Sequence, residues 1–126
     1  MHEIGGILMP VEFNTNLGNI VISENVIATL AGSTVAECYG VVGMASKNLL
    51  KDGLFEILRK ENYTKGIVVR DNGDYYDLDL YIVISYGIKI SEVASEVQKK
   101  VKYDLERNLD LKFNAINVFV QGMRED

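Results

Sequence analysis

Residues 75–86 read YYDLDLYIVISY, and this run has the length and alternation of a strand with two unlike faces. Tyr76, Leu78, Leu80, Ile82, Ile84 and Tyr86 fall on one side and Asp77, Asp79, Tyr81, Val83 and Ser85 on the other, because successive residues of a strand point in opposite directions. The first set predicts a face packed on helices. The second begins acidic and ends apolar, so its far end asks for a cover, a second subunit being one candidate. Upstream, Gly66 to Arg70 predicts a partner strand, joined by Asn72-Gly73 between Asp71 and Asp74. That dipeptide suits a two-residue hairpin turn, whose central positions need positive φ.

Downstream, Gly87 breaks the strand and Ser91 is expected to cap a long helix, with Glu92 in its first turn. Val93, Ala94, Val97, Val101 and Leu105 form the apolar stripe of that helix, at the spacing an amphipathic helix requires. A last strand is expected from Phe113 to Gln121, with Ile116, Val118 and Val120 on one face. Toward the N-terminus, Leu17 to Ile22 predicts a short strand, preceded by the alternating residues Val11 to Asn14. Ser23 then stands at a helix N-cap, and Ile27, Leu30, Ala31, Thr34, Val35 and Cys38 mark a second buried helical stripe that ends at Gly40. Val41 to Ala45 predicts another strand, and Ser46 to Lys65 two short helical pieces broken at Asp52-Gly53.

These elements predict an α/β (α+β) fold, a single two-layer domain over residues 11–126 with two long helices packed on a mixed β-sheet. Residues 1–10 are expected to be a disordered N-terminal extension, since Met9-Pro10 reads as a second start and the first residues lack the basic and apolar runs of a signal peptide. Nothing approaches the ~20 consecutive apolar residues of a membrane span. The sequence therefore predicts a soluble protein with no direct membrane span.

The net charge of −5 has the wrong sign for a protein that lives on phosphate backbones, so no nucleic-acid partner is expected. His2 is the only histidine and lies in the expected extension, which leaves general-base, triad and metal-ligand roles without their usual residue. Cys38, the only cysteine, lies on the apolar helix face and reads as a buried thiol of a reducing compartment. Asp77 and Asp79 point the same way beside Asp71 and Asp74, and paired carboxylates can hold a hard cation. A solvated strand face beside a turn is the favoured account, and Asp71-Asn72-Gly73-Asp74 lacks the later ligands of a calcium loop. Gly40-Val41-Val42-Gly43 is formally a GxxG, but its valines lead into an apolar strand rather than between helices. The residues predict no enzyme, no cofactor and no metal.

Lys47, Lys51, Arg59, Lys60 and Lys65 gather within residues 47–65 against Asp52, Glu56 and Glu61, a locally basic segment in an acidic chain. It reads either as the polar face of an amphipathic segment or as a docking patch for an acidic partner or an anionic membrane surface. Tyr75, Tyr76, Tyr81 and Tyr86 can likewise furnish an interface. The candidate interaction surface is therefore Lys47, Lys51, Arg59, Lys60 and Lys65 together with Tyr75, Asp77, Asp79, Tyr81 and Val83.

Four blocks of the chain resemble one family. They are Gly18 to Ala28, Cys38 to Ala45, Tyr81 to Gly87 with Ile90 to Ala94, and Asn117 to Gly122, in order over about residues 11–123. In these blocks the chain resembles the alkaline shock protein, or envelope stress response protein, family, and its short form is similar to the housekeeping branch. The resemblance implies a cytoplasmic, non-catalytic adaptor or scaffold for cell-envelope homeostasis, associated with the membrane through a partner such as an anchor protein, and self-associating as a homo-oligomer. It implies, as an alternative, a regulatory or ligand-binding subunit for a neighbouring protein similar to fatty-acid or dihydroxyacetone kinases, visible as a deep apolar pocket between helices and sheet. The family supplies no catalytic residues to carry over. This chain lacks the long acidic or glycine-rich tails of some stress-induced members.

Overall fold

The computed structural model describes residues 3–4, 7–8, 11–49 and 55–125, with side chains from 12–46 and 56–125. In chain order the strands are β1 (Glu3–Ile4), β2 (Ile7–Leu8), β3 (Val11–Thr15), β4 (Gly18–Ile22), β5 (Val41–Leu49), β6 (Phe55–Leu58), β7 (Ile67–Asp71), β8 (Tyr76–Ser85) and β9 (Phe113–Arg124). The helices are α1 (Glu24–Ala36) and α2 (Ile90–Leu109), with a 3-10 helix over Lys60–Gly66. β8 is the spine of a mixed five-stranded sheet: β5 and β7 pair with it antiparallel, β9 pairs with it parallel, and β6 pairs with β5. The predicted two-layer architecture is the one observed.

The core lies between sheet and helices. Leu78, Leu80, Ile82 and Ile84 of β8 are fully buried, as the alternation of that stretch requires. They meet Ile27, Ala31 and Val35 of α1 and a run on α2 in which every fourth residue turns inward: Val93, Val97, Val101, Leu105 and Leu109. Each fully buried aliphatic side chain contributes roughly 1.5–3 kcal/mol, so these two stripes hold the layers together. The Thr34 hydroxyl, buried on α1, donates to Asp104 Oδ2 of α2 at 3.1 Å. Along β9, Ile116, Val118 and Val120 pair with Leu78, Leu80 and Ile82, which puts them on the core side as expected. Gln98 of α2 donates to the Ile116 carbonyl at 2.8 Å, and Glu106 accepts from the Phe113 N–H at 2.9 Å, so α2 also fixes where β9 begins.

Several expectations are corrected. Ser46 to Lys65 does not form two helical pieces: β5 runs on to Leu49, β6 returns beside it, and the 3-10 helix follows. A strand paired along one edge with β8 leaves its other edge in need of partners, and Ile57 and Leu58 pair with Ala45 and Met44 there. This demand outweighs the helix-like spacing of the leucines. The break at Asp52-Gly53 lies outside the described residues. Residues 11–22 form a hairpin, with Phe13 opposite Ile20, rather than one strand and a lead-in. At the β7–β8 turn the tip is shifted by one residue: the Asn72 N–H donates to the Tyr75 carbonyl, and of Asn72 and Gly73 only Gly73 has positive φ, 95°.

Both helix starts also differ in detail. Ser23 occupies the α1 N-cap but makes no side-chain capping bond. Ser91 is not a cap, because Lys89 precedes the helix and its carbonyl takes the Glu92 and Val93 N–H groups, leaving Ser91 in the first turn. Helix α1 ends at Ala36 and not at Gly40. Gly40, with φ at 86°, instead turns the chain into β5, where an added Cβ would sit 2.5 Å from Ile88 Cδ1. Within residues 1–10, expected as a disordered extension, β1 and β2 pair antiparallel.

Candidate interaction surface

The outward residues of β8 and its neighbours build a face with two halves. At the β7 end, Asp77 and Asp79 are each held by separate partners. Arg70 pairs with Asp79 Oδ2, and Asn117 Nδ2 donates to Asp79 Oδ1 at 2.9 Å. Burial alone would raise the Asp79 pKa, but the hydrogen bonds from Arg70 and Asn117, with the Arg70 charge, hold it below the usual carboxylate value. Asp77 accepts from Asn72 Nδ2 and, at 2.8 Å, from the Ala115 N–H. The two carboxylates thus share no cation-shaped space, and the described residues hold no group of three or more potential metal ligands. Their work is to fix β7 and β9 to β8.

The other half is apolar and runs across the strands. Tyr81 and Phe119 sit opposite each other and stack, with centroids 4.8 Å apart and planes 16° apart. Ala45, one residue on from the Met44–Ile82 pair, lies level with Tyr81, and Ile57 faces Ala45 from β6. The row Ile57–Ala45–Tyr81–Phe119 therefore spans four strands. Ile57 and Phe119 are 48% and 42% exposed. Beside it runs a row of small residues, Gly43, Val83 and Gly122. Arg124 closes that row from above: its Nη2 donates to the Val42 carbonyl at 2.7 Å and lies 3.5 Å from where a Gly43 Cβ would stand.

The predicted surface residues fare unequally. Asp77, Asp79 and Tyr81 lie together on this face as expected. Val83 lies there too but is 2% exposed, packed within the face. Tyr75 stands outside β8, in the turn, at a shallow cleft with Lys102, Glu106 and Phe113. Arg59, Lys60 and Lys65 are exposed around the 3-10 helix. Lys60 lines a cleft against α1 that Glu37 and Glu61 also line, so its charge has acidic company. Lys47 is in β5 with its side chain outside the described residues, and Lys51 lies outside them altogether. Sequence reasoning missed Ile57 and Phe119: the first was read as helical, and the second needed the parallel register of β9 to reach Tyr81.

Between helices and sheet lie the packed side chains of the core. A cleft of about 550 Å³ lies where α1 ends and α2 begins, lined by residues of both charge signs, among them Glu37, Lys89, Glu92 and Lys100, with Cys38, Ile88 and Val93. Burial pushes the Cys38 thiol pKa up, and its Sγ donates to the Thr34 carbonyl at 3.4 Å, the state of a protonated structural thiol. No helix among the described residues is long and apolar enough to cross a membrane.

The chain is similar to the uncharacterized protein YloU of Bacillus subtilis (strain 168), 53% identical over 116 residues that cover 92% of this chain and 97% of YloU. It is also similar to the uncharacterized protein Spy1614 of Streptococcus pyogenes serotype M6, 47% identical over 116 residues, 92% of this chain and 96% of that one. In fold it resembles a solved MamM CTD structure, with a TM-score of 0.49 and 11% identity, covering 80% of this chain and 96% of that one. The model of the alkaline shock protein 23 family, described as having a cell envelope-related function, matches residues 12–125. The chain belongs to the alkaline shock protein family.

Proposed function

We propose that this protein is a non-catalytic cytoplasmic adaptor of cell-envelope homeostasis, working through protein–protein contacts, self-association included, and reaching the membrane through a partner. The observation that carries this reading is the outer sheet face. It exposes Ile57 and Phe119 at the two ends of an apolar row whose middle, Ala45, is buried, beside carboxylates already committed to hold strands. Apolar and aromatic rows with a polar surround suit a protein interface. Arg59, exposed two residues on from Ile57, favours an acidic partner surface at the β6 end of the face.

Quantitative affinity capture from the native host tests it, comparing the unaltered chain with Phe119→Asp and with Arg59→Glu/Lys60→Glu. Loss of stoichiometric partners with Phe119→Asp is the expected result. An unchanged set of partners in both variants would remove the face from consideration. A second reading is an accessory subunit of a kinase-like protein, docked at the mixed-charge cleft where α1 ends and α2 begins rather than at an apolar pocket under the helices. That reading predicts instead that Lys89→Glu and Lys100→Glu, and not Phe119→Asp, abolish capture.

A further inference from the structure

The β3–β4 hairpin is the region whose surface is least explained by the rest of the chain. It is a separate two-stranded sheet, and such a hairpin alone in water is marginal at best. Its inner side is joined to the body at Ile22, which packs half-buried against the core. The same side continues outward through Ile20 and Phe13, which face each other across the ladder, and there it runs out of cover: Ile20 is 53% exposed. Val21 on the opposite side is 57% exposed, and Leu17 at the tip is fully exposed. A membrane surface is a poor match, since residues 11–46 contain Glu12, Glu24 and Glu37 and no lysine or arginine, and an anionic bilayer attracts the opposite charge.

We infer that the β3–β4 hairpin of one copy packs, through Ile20, Phe13 and Leu17, on the outer sheet face of a second copy, along the Ile57–Tyr81–Phe119 row. The inference rests on the reading of that face as an interface and names its occupant. Dimensions agree: five-residue strands are ~17 Å long, and a row crossing four strands spans ~14 Å. Charge agrees as well. The hairpin's single charged residue is Glu12, whereas Arg59 stands two residues from Ile57 at one end of the row and Arg124 lies over the neighbouring row of small residues. Each copy carries one hairpin and one face, so a two-fold arrangement makes the contact twice and leaves neither open. Sheet-on-sheet packing of this kind needs no rearrangement of either domain.

The test is sedimentation velocity of the whole chain over a broad concentration range, with circular dichroism confirming that each variant is folded. Dimers of the unaltered chain should fall to monomers in Leu17→Asp/Ile20→Asp and, separately, in Phe119→Asp. An equimolar mixture of the two variants should recover dimers, because the intact hairpin of one meets the intact face of the other. Cysteine pairing offers a route that does not depend on destabilising variants. In a Cys38→Ser background, Ile20→Cys and Phe119→Cys chains should form a covalent dimer when mixed and oxidised, and neither should do so alone. A dimer that survives the hairpin variant but not Phe119→Asp overturns the hairpin as occupant while the face stands. A chain monomeric at every concentration, with no covalent dimer, also overturns the inference. The face reading then depends on whether Phe119→Asp loses captured partners.

Discussion

Along β8 the two faces reach burial by different physics. Inward, Leu78, Leu80, Ile82 and Ile84 are covered by apolar neighbours from two helices, and any of them does the same kind of work as the next. Outward, each residue has its own solution: Asp77 a backbone N–H and Asn72, Asp79 an arginine and an asparagine, Tyr81 a stacked ring, Val83 small neighbours under Arg124. The inner face is non-directional and tolerant of which apolar residue it holds. The outer face is directional, and where its directional contacts stop it leaves apolar surface open. A core needs only hydrophobicity and volume, whereas a surface that holds specific pairs beside exposed aromatic and aliphatic side chains has the composition that suits an interface.

Substitutions on the two faces should separate in size. Leu80→Ala on the inner face should cost about 2–5 kcal/mol, because it opens a cavity between sheet and helices. Urea denaturation monitored by circular dichroism measures this, and a cost under 1 kcal/mol would mean that the layers are less tightly packed than described. Tyr76 sharpens the comparison at the inner face's wet end. Burial, with the charge of and hydrogen bond to Asp71, pushes its hydroxyl up to about 12 from an ordinary value of 10.0. A raised pKa means the folded state binds the proton more tightly. The stabilisation is therefore full below pH 10 and is lost as pH climbs toward 12. A loss of about 1–2 kcal/mol is expected across that window, and Tyr76→Phe should flatten it.

On the outer face the effects should be smaller. Asp79→Ala removes acceptors for Arg70 and Asn117, and since the Arg70 side chain is 41% exposed the cost should be about 1 kcal/mol. The pH signature is opposite to that of Tyr76. A carboxyl held below its usual value stabilises the fold above the ordinary carboxylate range, and that contribution is lost as pH falls through the folded value. Unfolding titrations of unaltered chain and variant should converge in acid. If they stay parallel, the pair with Arg70 contributes nothing to stability.

The same contrast explains what the sequence disclosed. Period-two alternation from Tyr76 to Ser85 and four-residue spacing from Val93 to Leu109 are local patterns, and both survive folding unchanged. The segment from Ser46 to Lys65 is ambiguous at short range, and the deciding fact, that β8 takes one edge of β5 and leaves the other to β6, is supplied by a strand about forty residues away. Most of the outer face was legible as a set of residues but not as contacts. Asp77, Asp79 and Tyr81 could be placed side by side, whereas Ala115, Asn117 and Phe119 reach them in turn only through the β9 register, which two bulges shift. Arg124 over Gly43 had no local signal at all.

The smallest effect expected is also the one that joins the two faces to the hairpin. Leu17 is fully exposed, so Leu17→Ser should leave the stability of an isolated chain within about 0.5 kcal/mol of the original. That near-zero result holds only while copies stay apart. Anything that binds the folded state raises its melting temperature by mass action, and a second copy is such a ligand. The unaltered chain should therefore melt higher as its concentration rises, while Leu17→Ser should gain less over the same range. Differential scanning fluorimetry at several concentrations reads both slopes. Equal slopes would leave Leu17 exposed for no structural reason, and a slope lost only in the variant would show that its exposure is a property of the single chain rather than of the assembled protein.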